Sequence, residues 1–233
     1  MSHISDLTSR ISAYALIVAG GSGTRMQSVV PKQFLLLNGR PLMMYTIEAF
    51  YNSTYQPQII VVMHPNFHTY WQELCVEHNF AIPHVLADGG ETRFHSVKAG
   101  LALVTEDGLV AVQDAVRPLT SVDIIDHAYH QAQELGNAVV AVKSRDSVRA
   151  VRNGRSESML RDEIYLVQTP QTFRADILKK AYLQEFNDGF TDDASVVEKD
   201  GVMIHLTEGN YQNIKVTYPE DIAIGELLLG MRG

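Results

Sequence analysis

The strongest chemical signal in the chain is the run Ala19-Gly20-Gly21-Ser22-Gly23-Thr24-Arg25-Met26, followed closely by Pro31-Lys32-Gln33. Glycines at 20, 21 and 23 let a backbone approach a polyphosphate and turn its N–H groups toward the oxygens. For the glycines alone a tight strand-to-loop turn is the competing reading. Arg25 and Lys32 tip the balance, because both add positive charge where phosphates would lie. Two better-known glycine loops do not fit. The dinucleotide pattern needs glycine at Met26 after Gly21 and Gly23, and the P-loop needs a Gly-Lys-Ser/Thr that is absent.

A second cluster, Asp114-Ala115-Val116-Arg117-Pro118, ends the apolar run Leu109–Val112. Open α/β sheets bind ligands at the carboxyl ends of their strands, so Asp114 and Arg117 are expected to face the crevice of the glycine loop. An aspartate there suits Mg²⁺, directly or through water, since that ion takes one or two carboxylates plus phosphate oxygens. A structural Asp–Arg turn pair is the alternative. Arg93, Arg149, Arg161 and Lys215 stand at turns or in a charged stretch. Each alone reads as a solvated charge, and only convergence would make them a site.

Other chemistries lack their apparatus. Pro65 interrupts the pair His64/His68, and His127/His130 share the polar face of their helix with Asp123, so neither reads as a zinc site. No Gly-x-Ser-x-Gly elbow occurs, and Cys75 reads as a helical core residue.

The elements that must position these residues alternate along the chain. Strands are expected at Tyr14–Val18, Ile59–Met63, His84–Ala87, Leu109–Gln113, Ala138–Val142, Tyr165–Gln168 and Met203–Thr207. Helices are expected at about Leu42–Tyr51, Phe67–His78, Arg93–Val104, Val122–Leu135, Arg174–Phe186, Asp193–Asp200 and Pro219–Leu229. Gly136 and Gly201 fall where helix ends favour a left-handed residue, and Pro219 suits a first helical turn. The pattern predicts an α/β fold with a Rossmann-like, mostly parallel sheet flanked by helices. The charged stretch Lys143–Asp162, with its Asn153-Gly154 turn, breaks the rhythm and predicts a β-hairpin arm. Such an arm is marginal alone in water, so it is expected to lie on a second copy of the chain.

Composition is compatible with one such domain over residues 1–233. A chain of this length buries about 70% of its unfolded surface without staples. With 45% hydrophobic and 20% charged residues and a mean hydropathy of -0.06, neither disorder nor a membrane span is expected. The polar start and the short apolar stretch Ala13–Ala19 do not read as a signal peptide, and one cysteine excludes an internal disulfide. The expected compartment is therefore a reducing cytoplasm. A net charge of -8 argues against nucleic acid and anionic membranes as partners.

Taken in order, AGGSGTRM, PKQF, GGETRFHSV, QDAVRP, the TPQ of VQTPQTF, FTDDAS and NIKVT resemble the cytidylyltransferases of the erythritol-phosphate family, from about Tyr14 to Glu226. The resemblance implies a homodimeric, Mg²⁺-dependent transfer of CMP from CTP to 2-C-methyl-D-erythritol 4-phosphate, with ribitol 5-phosphate as the alternative acceptor. A non-catalytic nucleotide-binding protein is the alternative of another class. By matching position, the resemblance assigns Ala19, Gly20, Gly21 and Gly23 to the triphosphate loop, and Gly90, Glu91 and Ser96 to cytosine and ribose. It assigns Arg25 and Lys32 to transition-state stabilisation, and Asp114, Ala115 and Arg117 to the floor shared by nucleotide and acceptor. Ser147, Arg161 and Thr191 match acceptor contacts, those of the arm reaching a partner's site, and Lys215 matches a lysine that positions the phosphates. The double glycine Gly20-Gly21, Ser147 for a commoner threonine and Glu91 for a commoner aspartate depart from the pattern.

Overall fold

A computed structural model describes residues 11–20 and 30–231. Gly21, Gly23 and Arg25 lie outside the described residues.

In chain order the strands are β1 (Ser12–Val18), β2 (Leu36–Leu37), β3 (Arg40–Pro41), β4 (Gln58–Met63), β5 (Val85–Asp88), β6 (Gly108–Asp114), β7 (Asn137–Lys143), β8 (Arg149–Arg152), β9 (Arg155–Ser158), β10 (Tyr165–Arg174) and β11 (Leu206–Glu208). The helices are α1 (Leu42–Tyr51), α2 (His68–Glu77), α3 (Arg93–Leu101), α4 (Val122–Leu135), α5 (Ala175–Ala181), α6 (Asp193–Lys199) and α7 (Glu220–Gly230). Seven strands form one sheet in the order β11-β7-β10-β6-β1-β4-β5. All pairings in it are parallel except those of β10, which runs antiparallel to both β6 and β7.

Strand alternation builds two cores, one on each face of the sheet. Ala15 and Ile17 of β1, with Ile59 and Val61 of β4, pack with Met43, Phe50, Trp71 and Tyr129 from α1, α2 and α4. Leu16 and Val18, with Ile60 and Val62, face Val97, Leu101, Leu178 and Val197 from α3, α5 and α6. Helix ends follow the sequence. Ser121 caps α4 by accepting from Ile124 N, and Gly136 closes it at φ +88°. Thr92 caps α3, and Asp192 with Ser195 forms a capping box on α6.

From β1 the chain crosses to β4 and β5 on one side and later to β6 on the other. The order therefore reverses at β1, and a crevice opens at the carboxyl ends of β1 and β6.

The arm is a hairpin of β8 and β9, a separate two-stranded sheet turning on Asn153 (φ 50°) and Gly154 (φ 75°). It is shorter than expected. Lys143 stays in β7 because it still pairs with Tyr165 of β10, and Arg161 sits in a 3-10 turn, Arg161–Glu163. β10 runs beyond Gln168 to Arg174, with its polar residues Thr169, Gln171 and Thr172 buried. Gln171 donates to Asp192 Oδ2 at 2.9 Å and accepts from Ala194 N at 2.8 Å. As a result α5 begins at Ala175 rather than Arg174, and it ends at Ala181. Cys75 is partly buried against the core, and burial pushes its thiol up to about 11. Among the described residues no helix is long and apolar enough to cross a membrane, and none of their His, Cys, Asp and Glu residues group as a three-residue metal site.

Candidate active site

Asp114 is the last residue of β6. Its N–H donates to Thr169 Oγ1 at 3.1 Å, which fixes where the strand stops. Three cations surround its carboxylate. Lys215 Nζ lies 3.0 Å and Arg117 Nε 3.3 Å from Oδ2, while Arg93 Nε lies 3.8 Å from Oδ1. Burial pushes the Asp114 carboxyl up, but Lys215, Arg93 and Arg117 together hold it well below the usual carboxylate range. It is thus an anion that stays ionised inside a cationic crevice.

Each cation is held by a different element. Arg93 opens α3, and its Nη2 donates to Asp193 Oδ2 at 2.5 Å. Burial alone would lower its pKa, yet the pairing with Asp193 outweighs that and raises it. Arg117 lies behind Asp114, where its Nη1 donates to the Asn213 carbonyl at 2.7 Å. Burial draws its pKa down, with Asp114 opposing. Lys215 is aimed by its neighbours. The buried Asn213 side chain donates to the Thr169 carbonyl at 2.9 Å and accepts from Thr120 Oγ1 at 2.8 Å, and Val216 N donates to Val116 O at 2.9 Å.

A cavity of about 300 Å³ opens over this cluster, lined by Val18, Ala19, Gly20, Lys32, Gln33, Arg93, Asp114, Val116 and Lys215. Convergence is therefore met for Arg93 and Lys215 but not for Arg149, which bonds to Ser156 within the arm. Gln33 is buried and donates to the Ala19 carbonyl at 2.9 Å, tying the start of the glycine loop to the segment that bears Lys32. Lys32, Arg93, Arg117 and Lys215 outnumber Asp114 and Asp193 by two charges, a field suited to a polyanion. A larger hollow of about 920 Å³, lined by Tyr51, Pro57, Gln58 and His84 among others, lies at the opposite end of β4 and holds no comparable charge.

The remaining expected residues divide into two groups. Ser96 is buried among glycines: its hydroxyl accepts from Gly90 N at 3.1 Å and donates to Thr92 O at 3.0 Å. A Cβ on Gly90 would collide with His95 Cβ at 2.4 Å, so the close backbone approach requires glycine there, and one on Gly20 would stand a tight 3.3 Å from Ser96 Oγ. Glu91 and Thr191 are both exposed. Ala115 belongs to the core, with its N–H donated to Val18 O and its carbonyl bonded by Thr46 Oγ1, each at 3.1 Å. Ser147 and Arg161 are exposed on the arm side, and neither lines the cavity.

Gln33 and Asp193 join the site without a motif signal of their own. The only sequence signals for them were their places beside Lys32 and Thr191.

A family model described as 2-C-methyl-D-erythritol 4-phosphate cytidylyltransferase matches residues 13–231. The chain is 50% identical over 214 residues to the protein of that name from Bacteroides thetaiotaomicron, covering 92% of this chain and 98% of the relative. It is 49% identical over 215 residues to the one from Bacteroides fragilis, covering 92% and 98%. The crystal structure of 4-diphosphocytidyl-2C-methyl-D-erythritol synthase from Anaerococcus prevotii superposes with a TM-score of 0.81 at 25% identity, covering 94% of this chain and 96% of that one. With that match over residues 13–231, the chain belongs to the 2-C-methyl-D-erythritol 4-phosphate cytidylyltransferase family.

Proposed function

We propose that the chain, as a single nucleotidyltransferase domain, transfers CMP from CTP to 2-C-methyl-D-erythritol 4-phosphate and releases pyrophosphate, in the non-mevalonate route to isoprenoids. The observation that carries this reading is the cationic crevice around Asp114, at the carboxyl ends of β1 and β6, in a chain of this family.

An oxygen of the acceptor phosphate attacks the α-phosphorus of CTP in line. The new P–O bond forms as the bond from the α-phosphorus to the bridging oxygen breaks, and that electron pair leaves with pyrophosphate. The acceptor's second pKa is about 6, so its attacking oxygen is largely ionised at neutral pH and no general base is needed. The chain's task is alignment and charge neutralisation. Lys32 and Lys215, both lining the cavity, are assigned to the phosphates, and Arg25 is assigned the same role by its place in the family motif. Gly90, Glu91 and Ser96 take cytosine and ribose.

The donor set around Asp114 suits Mg²⁺: among the described residues Oδ1 meets only the 3.8 Å approach of Arg93, beyond hydrogen-bond range, and the carboxyl stays ionised. Bound there, the ion would offset negative charge on the triphosphate and on departing pyrophosphate.

A homodimer built through the arm is part of this reading. Val151 and Leu160 are each 70% exposed on and beside the hairpin, with Tyr165, Leu166 and Val167 exposed nearby. Ser147 and Arg161 would then serve the partner's crevice. A cytoplasmic location accords with the single cysteine.

The test is pyrophosphate release with CTP and Mg²⁺ against methylerythritol 4-phosphate, ribitol 5-phosphate or no acceptor, with UTP and ATP as controls. Strong preference for methylerythritol phosphate with CTP is expected, together with loss in EDTA and recovery with Mg²⁺. Preference for ribitol phosphate would move the chain to another polyol, and silence with every acceptor would leave a binding protein.

A further inference from the structure

The segment assigned to the nucleotide, Gly90–Ser96, and the segment assigned to the acceptor, around Thr191, are far apart in sequence, yet one half-buried ion pair joins them. Arg93 and Asp193, 100 residues apart, meet at 2.5 Å; Arg93 lies within the nucleotide segment and Asp193 two residues beyond Thr191, and each opens its helix. Asp193 is completely buried, and its other oxygen accepts from Tyr182 Oη at 2.6 Å. Arg93 lines the cavity and turns its Nε toward Asp114 Oδ1 at 3.8 Å. The guanidinium therefore spans the acceptor-side carboxylate and the carboxylate of the shared floor, and only a planar, forked cation serves both at once.

Even a buried charge pair is weak evidence for stability, since desolvation offsets most of its attraction. This one has a geometric consequence instead. Movement of the Thr191 segment is transmitted through Asp193 and Arg93 to the first turn of α3 and to Asp114. We propose that Asp193, acting through Arg93, is a positioning residue that couples nucleotide and acceptor binding, so that occupancy of one subsite organises the other. The inference rests on the assignment of the two substrates made above.

The test uses the full-length protein and three variants. Asp193→Asn keeps the shape and an acceptor for Tyr182 but removes the charge. Arg93→Lys keeps the charge but removes the fork. Tyr182→Phe leaves the ion pair whole and serves as the stability control. CTP and acceptor KM, kcat and Tm are measured for each.

Loss of coupling should raise both KM values together by about tenfold in Asp193→Asn and Arg93→Lys. In Tyr182→Phe, Tm falls while both KM values hold. Binding by calorimetry of a non-hydrolysable α,β-methylene CTP should strengthen acceptor binding in the wild type and not in the first two variants. Folded variants with both KM values within twofold of wild type overturn the proposal, as does a Tm loss without change in mutual enhancement. If Asp193→Asn fails to fold, Arg93→Lys decides. If the wild type turns over no acceptor, the assigned reaction fails by itself. The bridge is then read from CTP and inorganic phosphate by calorimetry: enhancement lost in Arg93→Lys supports it, and enhancement retained overturns it.

Discussion

The crevice and the arm carry charged residues assigned to the same reaction, yet they are built in opposite ways. At the crevice Asp114, Arg117 and Asp193 are buried, and the principal ionic contacts lie within one chain. On the arm Arg161 has a side chain 55% exposed, and β8 and β9 bond only to each other among the described sheets. A crevice of buried ion pairs is organised before any substrate arrives, which is what electrostatic catalysis needs. A bare hairpin lacks that organisation. Its apolar residues Val151 and Leu160 gain a fixed place only against another surface, so on the proposed reading the crevice is complete in one chain while the arm awaits a second copy.

The largest effect should come from breaking the crevice. Asp114→Ala strands Lys215 and Arg117 beside a missing anion, and breaking a buried pair costs about 3–5 kcal/mol. Activity should fall by at least about a hundredfold as well. Urea denaturation and pyrophosphate release measure the two losses. Val151→Asp on the arm should act differently: the urea transition of the separated chain stays where it was, while sedimentation shows monomer and activity drops. Equal losses of chain stability from both substitutions would erase the contrast.

Complementation sharpens it next. Arg25→Ala disables a chain's own crevice and Arg161→Ala its arm, so a mixed dimer keeps one intact site if the arm serves the partner. Random exchange between the two inactive variants should then restore about a quarter of wild-type activity. With exchange confirmed by a tag, recovery near zero would mean that each arm serves its own crevice.

Acid separates the regions more gently. The Asp114 carboxyl lies below its unfolded value of about 4. Its contribution is therefore present above that value and is lost as pH falls toward the folded one. Wild type should lose more stability than Asp114→Asn between pH 5 and pH 2, as read from urea midpoints. Among the described residues Arg161 on the arm meets only the exposed Asp162, and Arg161→Ala should follow the wild-type curve.

How legible these regions were in the sequence follows from their physics. Periodicity places β1, β4, β6 and β7 to within a residue or two, because buried parallel strands read as apolar runs such as Leu109–Val112. β10 extends past its prediction because Gln171 and Thr172 are polar but buried, and the partners of Gln171, Asp192 and Ala194, are distant in sequence. β11 is shorter than predicted: Met203 is 70% exposed, and only Leu206–Glu208 pair with β7. Glycines, Lys32 and Asp114 announce themselves by motif. Gln33 and Asp193 do not, since their roles arise from contacts made by the fold, the one to Ala19 and the other to Arg93. Arg117 stands within its motif, but its place behind Asp114 depends on the Asn213 carbonyl.

The smallest expected effect tests the arm through its turn. Asn153 and Gly154 both hold positive φ, as a two-residue type I′ connection demands. A Cβ on Gly154 would meet nothing within 4 Å, so Gly154→Ala adds no collision and costs only its left-handed backbone, about 1 kcal/mol. Because the hairpin has no ladder to the central sheet, that penalty should not reach the urea midpoint of the separated chain. It should appear where the arm is held by its partner, as a dimer dissociation constant raised about fivefold in sedimentation equilibrium, since 1.4 kcal/mol is tenfold. Gly136→Ala, at φ +88° and with Ile177 Cδ1 3.0 Å from the new Cβ, carries the same backbone penalty within the core-packed end of α4, and should lower the chain's own midpoint. A midpoint shift for Gly154→Ala equal to that for Gly136→Ala would mean that the arm is part of the chain's cooperative unit after all.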